Sequence, residues 1–369
     1  MGRYLSSMSK SRAERLMENA GDIDKIAIVN GGEPFLDSTF WYITEQSTGV
    51  FEGSMAFVSR DGTVDIVVGQ LEEEAAKAAK GNVHVFRTRE ECASIVKELL
   101  KDSRKIGMNT PSAVYSSVMY LKKMKDDIEI VNVSEAIGET VSIKDANEIK
   151  ATEKACEITS TVAKELPTMI SEGVSEKEVA AEMDIRMRRL GGTGNAFETI
   201  AAFGKYSAEC HHKPCDYKLK KGDTALFDFG SKYDMYCSDL TRTIFLGEPS
   251  DILKRAYEVV RKAQLAGIEK IRAGAKACEP DLAARKIIDE SEFKGTFIHS
   301  FGHGIGMDVH QAIGLYPKSE QILKAGNIIS AEPGIYISGV GGIRIEDTVL
   351  VTEDGCRILT DYDHELTIV

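Results

Sequence analysis

Short apolar runs alternate with charged amphipathic segments along the first 140 residues. Ile26–Asn30 and Ser54–Val58 read as strands, and Arg60-Asp61-Gly62 supplies a turn into Thr63–Gly69, giving a hairpin. Leu71–Lys80 and Arg89–Lys101 have helical composition, interleaved with strands expected at Val83–Phe86, Lys105–Met108 and Ile128–Val131. That alternation predicts an α/β domain. The aromatic run Phe40-Trp41-Tyr42 reads as core packing.

The pattern changes near Glu139–Ile143, which divides the chain into domains at 1–140 and 141–369. A long amphipathic helix is expected from Asp145 to about Ile170, with Ala151, Ala155, Ile158, Val162 and Leu166 at helical spacing. The next helix starts at a capping box, Ser175 with Glu178, and stops at Gly191-Gly192 after Leu190. The glycines of 191–194 end a helix instead of opening one after a strand, which argues against a phosphate loop. Strands follow at Thr224–Gly230 and Thr241–Leu246, then helices at Asp251–Arg272 and Pro280–Ser291, with Pro280 at a first helical position. Closing strands are expected at Ile328–Ser330, Gly334–Ile337, Arg344–Val351 and Cys356–Leu359.

Of 369 residues, 43 % are apolar and 28 % charged, the balance of a soluble globular protein. Acidic residues outnumber basic ones, 58 to 46, so no broad cationic face is available for nucleic acid. No apolar run reaches the ~18 residues of a membrane span, and no secretory signal opens the chain. Met1–Ser6 fits the loose N-myristoylation pattern, but no polybasic cluster supports it. The seven cysteines are scattered without a CxxC pair, which favours a reducing cytoplasm over a disulfide framework.

Five segments of the second half carry acids or histidines at strand ends or glycine turns. The strand Ala225–Gly230 delivers Asp228, and Asp239 follows in Ser238-Asp239-Leu240-Thr241-Arg242-Thr243. Two carboxylates at the mouths of neighbouring strands repel unless a proton or cation lies between them. Ile298–His310 holds three histidines, His299, His303 and His310, with His303 between glycines that permit close approach. Glu332 follows an apolar strand in Ala331-Glu332-Pro333-Gly334. In Gly342–Asp347, Arg344 and Glu346 alternate with Ile343 and Ile345, which places both polar residues on one strand face. Together the five segments place Asp, Asp, His, Glu and Glu in that order.

This ordered set strongly resembles the pita-bread metallopeptidases, which include Xaa-Pro dipeptidase (prolidase), aminopeptidase P and methionine aminopeptidase. The resemblance spans roughly Ile143–Leu366. The family's metal ligands fall on Asp228, Asp239, His303, Glu332 and Glu346, all intact. The first 140 residues look like the creatinase-type N-terminal domain; with Tyr236–Thr243 and Gly341–Thr348 they place the chain in the proline-specific branch. The implied fold is therefore α/β (α+β): a creatinase-type domain followed by a pita-bread catalytic domain.

By the same resemblance, Asp228 chelates one metal, His303 and Glu332 the other, and Asp239 and Glu346 bridge them. Oxygen-rich ligation favours Mn²⁺ or Co²⁺, with Zn²⁺ or Fe²⁺ as alternatives. The implied reaction is hydrolysis of Xaa-Pro bonds by a metal-bridging hydroxide, with Glu332 shuttling the proton. His299, His310 and His211 match the family histidines that meet substrate and oxyanion, and Arg344 supports Glu346 and meets substrate carboxylate or carbonyl groups. Tyr336 is a weaker candidate. The expected substrates are dipeptides, with aminopeptidase P-type cleavage of longer peptides as the alternative. A non-catalytic scaffold disagrees with the intact ligand set, as does metal-free creatinase-like hydrolysis. A cytoplasmic homodimer is expected, with no nucleic-acid or membrane partner. Cys210-His211-His212-Lys213-Pro214-Cys215 superficially resembles a zinc knuckle, but no second cluster is visible to supply further ligands.

Overall fold

The computed structural model describes residues 10–369, and every element count refers to them. The pattern at Met1–Ser6 lies outside the described residues. Two compact units divide the chain, Met1–Val141 and Ser142–Val369.

The first unit contains β1 (Lys25–Val29), β2 (Met55–Ser59), β3 (Val64–Gly69), β4 (Asn82–Phe86), β5 (Lys105–Met108) and β6 (Glu129–Asn132). They form one mixed sheet in the order β4-β3-β2-β1-β5-β6. β2 and β3 are the expected hairpin, in register from Met55↔Val67 to Val58↔Val64. Trp41 is buried and packs edge-to-face on Phe40 and Phe51. The helix expected over Leu71–Lys80 shrinks to a 3₁₀ turn, Gln70–Glu72, and one α turn, Glu73–Ala76. Leu71 is 99 % exposed and only Ala76 of these two turns is buried, so no apolar stripe anchors a longer helix.

The second unit contains β7 (Gly194–Asn195), β8 (Ile200–Phe203), β9 (Thr224–Phe229), β10 (Ser231–Tyr233), β11 (Tyr236–Cys237), β12 (Leu240–Phe245), β13 (Gly302–Gly304), β14 (Gln311–Leu315), β15 (Ile328–Ala331), β16 (Gly334–Ile337), β17 (Gly341–Arg344), β18 (Asp347–Val351), β19 (Cys356–Ile358) and β20 (Thr367–Ile368). Two of its sheets, β20-β12-β9-β8 and β14-β13-β15-β18-β19, carry the acids and histidines singled out above. Each sheet has its own pair of helices. Ala146–Met169, capped by Asp145, packs with Glu176–Arg189 over the four-stranded sheet through Ile158, Val162, Leu166, Met183 and Phe227. Asp251–Ile268 and Cys278–Asp289 cover the five-stranded sheet through Tyr257, Val260, Ile288, Phe301 and Ile329. Pro280 sits third in its helix, not first; amides of the first turn have no intrahelical acceptor, so the missing donor costs nothing there either.

The single strand expected over Arg344–Val351 is two strands. β17 pairs with β16, Gly334 against Arg344, whereas β18 pairs with β15, Ala331 against Asp347. The chain passes from one ribbon to the other through Ile345 and Glu346. Among the described residues no helix is long and apolar enough to cross a membrane.

Candidate active site

The ends of the two sheets open on one cavity of about 590 Å³. Asp228, Asp239, His303, Glu332, Glu346, His211, His299, His310 and Arg344 all line it, so the residues singled out from sequence are brought together.

Strand pairing accounts for the convergence. Asp228 in β9 lies directly opposite Thr241 in β12, and Asp239 precedes β12. Thr241 Oγ1 donates to Glu346 Oε2 at 2.6 Å, which ties the strand break to the four-stranded sheet. Ala331 pairs with Asp347, so Glu332 and Glu346 face each other one step beyond the paired residues. A Cβ on Gly302 would stand 2.1 Å from the Ser330 carbonyl oxygen; the glycine lets β13 press against β15 and bring His303 beside Glu332. The close approach is to backbone. Gly230, after Asp228-Phe229, serves in the same way: its Cβ would meet the Ser238 carbonyl oxygen at 1.9 Å.

The buried carboxylates carry more negative charge than the protein compensates. Burial pushes the carboxyls of Asp239 and Glu346 well above the usual range, and the neighbouring carboxylates push the same way. Burial also raises Asp228, against the pull of Arg344. Glu332 behaves oppositely: burial would raise it, but the bond to His303 and the charge there draw it down to about 2.

His303 Nδ1–H donates to the Gly304 carbonyl at 3.1 Å, so its Nε2 is the nitrogen turned to Glu332 Oε1, 3.2 Å away, and Asp239 Oδ2, 3.6 Å away. A histidine oriented by its second nitrogen is how metal-binding imidazoles are held. Asp239, His303 and Glu346 offer donor atoms all within 4.8 Å of one another. Asp228 Oδ1, Asp239 Oδ1 and Glu346 Oε1 are buried without a hydrogen-bond partner. Carboxylate oxygens left without hydrogen-bond partners in so acidic a cluster fit divalent cations of the hard or borderline class.

Arg344 lines the same cavity as Glu346. Its guanidinium is 3 % exposed and donates to Asp228 Oδ2, to Thr241 Oγ1 at 3.0 Å and to Tyr336 Oη at 2.9 Å. It meets Glu346 through their shared partner Thr241, whose hydroxyl takes the arginine's Nε–H and donates to the carboxylate, and its charge acts on Glu346 directly. Tyr336, the weaker candidate, is a junction. His299 Nδ1–H donates to the Ser300 carbonyl at 2.8 Å, which leaves Nε2 to accept from Tyr336 Oη at 2.8 Å. Burial holds the His299 imidazole below its ordinary pKa and so keeps it neutral. His299 thus meets Tyr336, whereas His310 and His211 are the exposed imidazoles on the cavity wall, with the His310 ring 4.2 Å from that of His303.

Sequence reasoning passed over Arg242. It is fully buried behind Glu346 and donates to the carbonyls of Glu346, Thr241, Tyr362 and Asp363 and to Asp347. Its only sequence signal is an arginine in an otherwise apolar and threonine-rich strand.

Residues 150–353 match the model of Metallopeptidase family M24, and residues 11–140 match the Creatinase/Prolidase N-terminal domain. An Xaa-Pro dipeptidase of Pyrococcus furiosus is 35 % identical over 360 residues, which is 97 % of this chain and 99 % of the relative. The solved structure of an Xaa-Pro dipeptidase from Bacillus anthracis superposes with a TM-score of 0.90 at 34 % identity, over 97 % of this chain and 99 % of that one. An X-Pro aminopeptidase from Thermotoga maritima gives 0.88 at 30 % identity, over 97 % and 100 %. The mixed α/β class, a creatinase-type domain followed by the catalytic domain, agrees with the expectation from sequence.

Proposed function

The chain belongs to metallopeptidase family M24, and from that premise we propose that it hydrolyses the peptide bond of Xaa-Pro dipeptides. The observation that carries this reading is the cluster of four carboxylates, Asp239 and Glu346 buried and Asp228 and Glu332 half-buried, with His303 at the junction of two sheets and carboxylate oxygens left unpartnered. Full-length similarity to Xaa-Pro dipeptidases supports the substrate class.

Asp228, Asp239, His303, Glu332 and Glu346 would hold two divalent cations, Mn²⁺ or Co²⁺ by donor type. When bound, such a pair polarises the scissile carbonyl and lowers the pKa of water towards neutrality. Glu332, held by Ser330 Oγ at 2.9 Å, takes the proton of the attacking water and delivers it to the prolyl nitrogen as the C–N bond breaks. His310 and His211 meet the substrate from the exposed wall. Arg344 positions Asp228 directly and Glu346 through Thr241, and Tyr336 couples it to His299.

A second reading, removal of the first residue from longer Xaa-Pro peptides, is favoured by the likeness to the Thermotoga maritima X-Pro aminopeptidase. Comparing Xaa-Pro with Xaa-Pro-amide and Xaa-Pro-Xaa, after reconstitution with Mn²⁺, Co²⁺ or Zn²⁺, separates the two. A charge-assisted contact to the free carboxylate predicts a loss in kcat/KM of roughly tenfold or more on amidation. Equal cleavage of the amide or a tripeptide replaces the dipeptidase reading with the aminopeptidase one. Cytoplasmic residence and a homodimer belong to the same proposal; seven free cysteines support the first. Light scattering on the purified chain tests the second.

A further inference from the structure

The segment Cys210–Cys215 does not close on itself as a knuckle. Cys210 lines the catalytic cavity, whereas Cys215 turns towards Glu176 at the start of the Glu176–Arg189 helix. The fully buried carboxylate of Glu176 meets His212 Nε2 at 2.8 Å, and the Cys215 amide donates to the same oxygen at 2.8 Å. Its other oxygen accepts from the Phe203 amide at 2.7 Å, which fixes the orientation of the group.

Donor atoms of Glu176, His212 and Cys215 all lie within 4.8 Å of one another. They are an oxygen, a nitrogen and a sulfur, a mixed set unlike the carboxylate cluster. His212 Nδ1 is 2.8 Å from Glu209 Oε2, and a carboxylate there fixes the imidazole tautomer that leaves Nε2 available. Tyr206 stacks on the ring at 5.2 Å and closes one side. A tetrahedral ion with bonds of about 2.0–2.3 Å keeps its donors about 3.3–3.7 Å apart. The site therefore needs the Glu176–His212 contact to open by under about 1 Å as an ion replaces the shared proton. A carboxylate and a thiolate together balance a divalent charge.

We propose that Glu176, His212 and Cys215 form a second cation site, for one thiophilic divalent ion of the Zn²⁺ class, separate from the carboxylate cluster. The thiolate and imidazole select Zn²⁺ or Co²⁺ over Mg²⁺ or Ca²⁺. Three protein donors leave a fourth position facing solvent, where Cys215 is half-buried. The ion staples the segment that carries His211, adjacent to His212, to the N-terminal end of a helix packed over the four-stranded sheet.

Two measurements on the full-length protein test the site. Titration of demetallated protein with Co²⁺ is expected to give a near-ultraviolet thiolate-to-cobalt charge-transfer band. The band is lost in Cys215→Ser and retained in Cys210→Ser and in Asp239→Asn. In unmodified protein, Zn²⁺ is expected to slow alkylation of Cys215 roughly tenfold or more, because the reagent attacks the free thiolate. A band that survives Cys215→Ser and disappears in Cys210→Ser would assign the thiolate to the catalytic cavity and overturn the proposal. So would the absence of any band at saturating Co²⁺ together with alkylation of Cys215 indifferent to Zn²⁺; the cluster then holds a proton only.

Discussion

The guanidinium of Arg242 and the carboxylate of Asp347 lie 2.8 Å apart, with side chains 1 % and 0 % exposed, immediately behind Glu346. Gln264, Thr360 and His364 complete the carboxylate's hydrogen bonds. Removing one partner of such a pair strands the other charge in the interior. Arg242→Met is expected to destabilise the protein by about 3–5 kcal/mol, read as a lowered urea midpoint. Arg242→Lys should recover little of this, because an ammonium cannot serve acceptors spread around a planar fork. A midpoint within experimental error of the parent would show that the pair contributes nothing to stability.

Tyr336 joins His299 to Arg344 through one hydroxyl. Tyr336→Phe leaves the neutral His299 without a donor at Nε2 and Arg344 without one acceptor. The unmet buried partners should cost about 1–3 kcal/mol of stability, and loss of the link that orients His299 and Arg344 predicts a lower kcat/KM with the fold retained. Steady-state kinetics beside a far-ultraviolet dichroism spectrum checks it, and an unchanged rate would make the tyrosine simple packing.

Metal counts separate proposed ligands from proposed substrate contacts. Chelation should abolish activity and a divalent ion restore it. Asp239→Asn keeps the side-chain shape but removes one charge from the cluster, so reduced metal content and a large loss of turnover are expected. His310→Ala should lose rate with metal content unchanged, by elemental analysis. If His310→Ala sheds an ion, His310 belongs among the ligands.

His212 sets a pH dependence in metal-free buffer. Burial opposes its charge, but Glu176 and Glu209 outweigh burial and raise its pKa above the ordinary 6.5. A raised folded-state value means that protonated His212 stabilises fully below about pH 6.5 and loses that contribution as pH climbs through the folded value. The stability gap between the parent and His212→Gln should therefore be widest in mild acid and narrow towards pH 9, measured by urea unfolding with chelator present. A gap independent of pH would show that the imidazole is held neutral.

Much of the site was legible because its acids stand where the local pattern makes them conspicuous. Asp228 stands near the end of an apolar strand that runs into a glycine, and His303 sits in a glycine-flanked run with two further histidines. Arg242 was not legible, since alternation along β12 gives an arginine the look of a solvent-facing residue. Apart from the adjacent Thr241 carbonyl, its acceptors come from Glu346, Asp347, Tyr362 and Asp363, more than 100 positions away. The role of Tyr336 was obscured in the same way, because its hydroxyl partners are 37 and 8 positions distant and only folding joins them. Local periodicity also misled over 344–351. The alternation runs on unbroken, but β17 and β18 answer to different partner strands, a choice made by β16 and β15.

The passage of the chain from one ribbon to another at Ile345–Glu346 bears on the order of events in folding. Asp228 and Asp239 are set by the four-stranded sheet, His303 and Glu332 by the five-stranded one, and Glu346 is held where Thr241 bridges the two. Contacts of such long sequence separation form late, because closing large loops costs entropy before any contact repays it. Collapse and helix formation can therefore be well advanced in a nascent chain that is still catalytically silent. Recovery of hydrolysis on refolding is expected to trail the recovery of helix signal, because the cluster is complete only when both sheets and the strand break are in place.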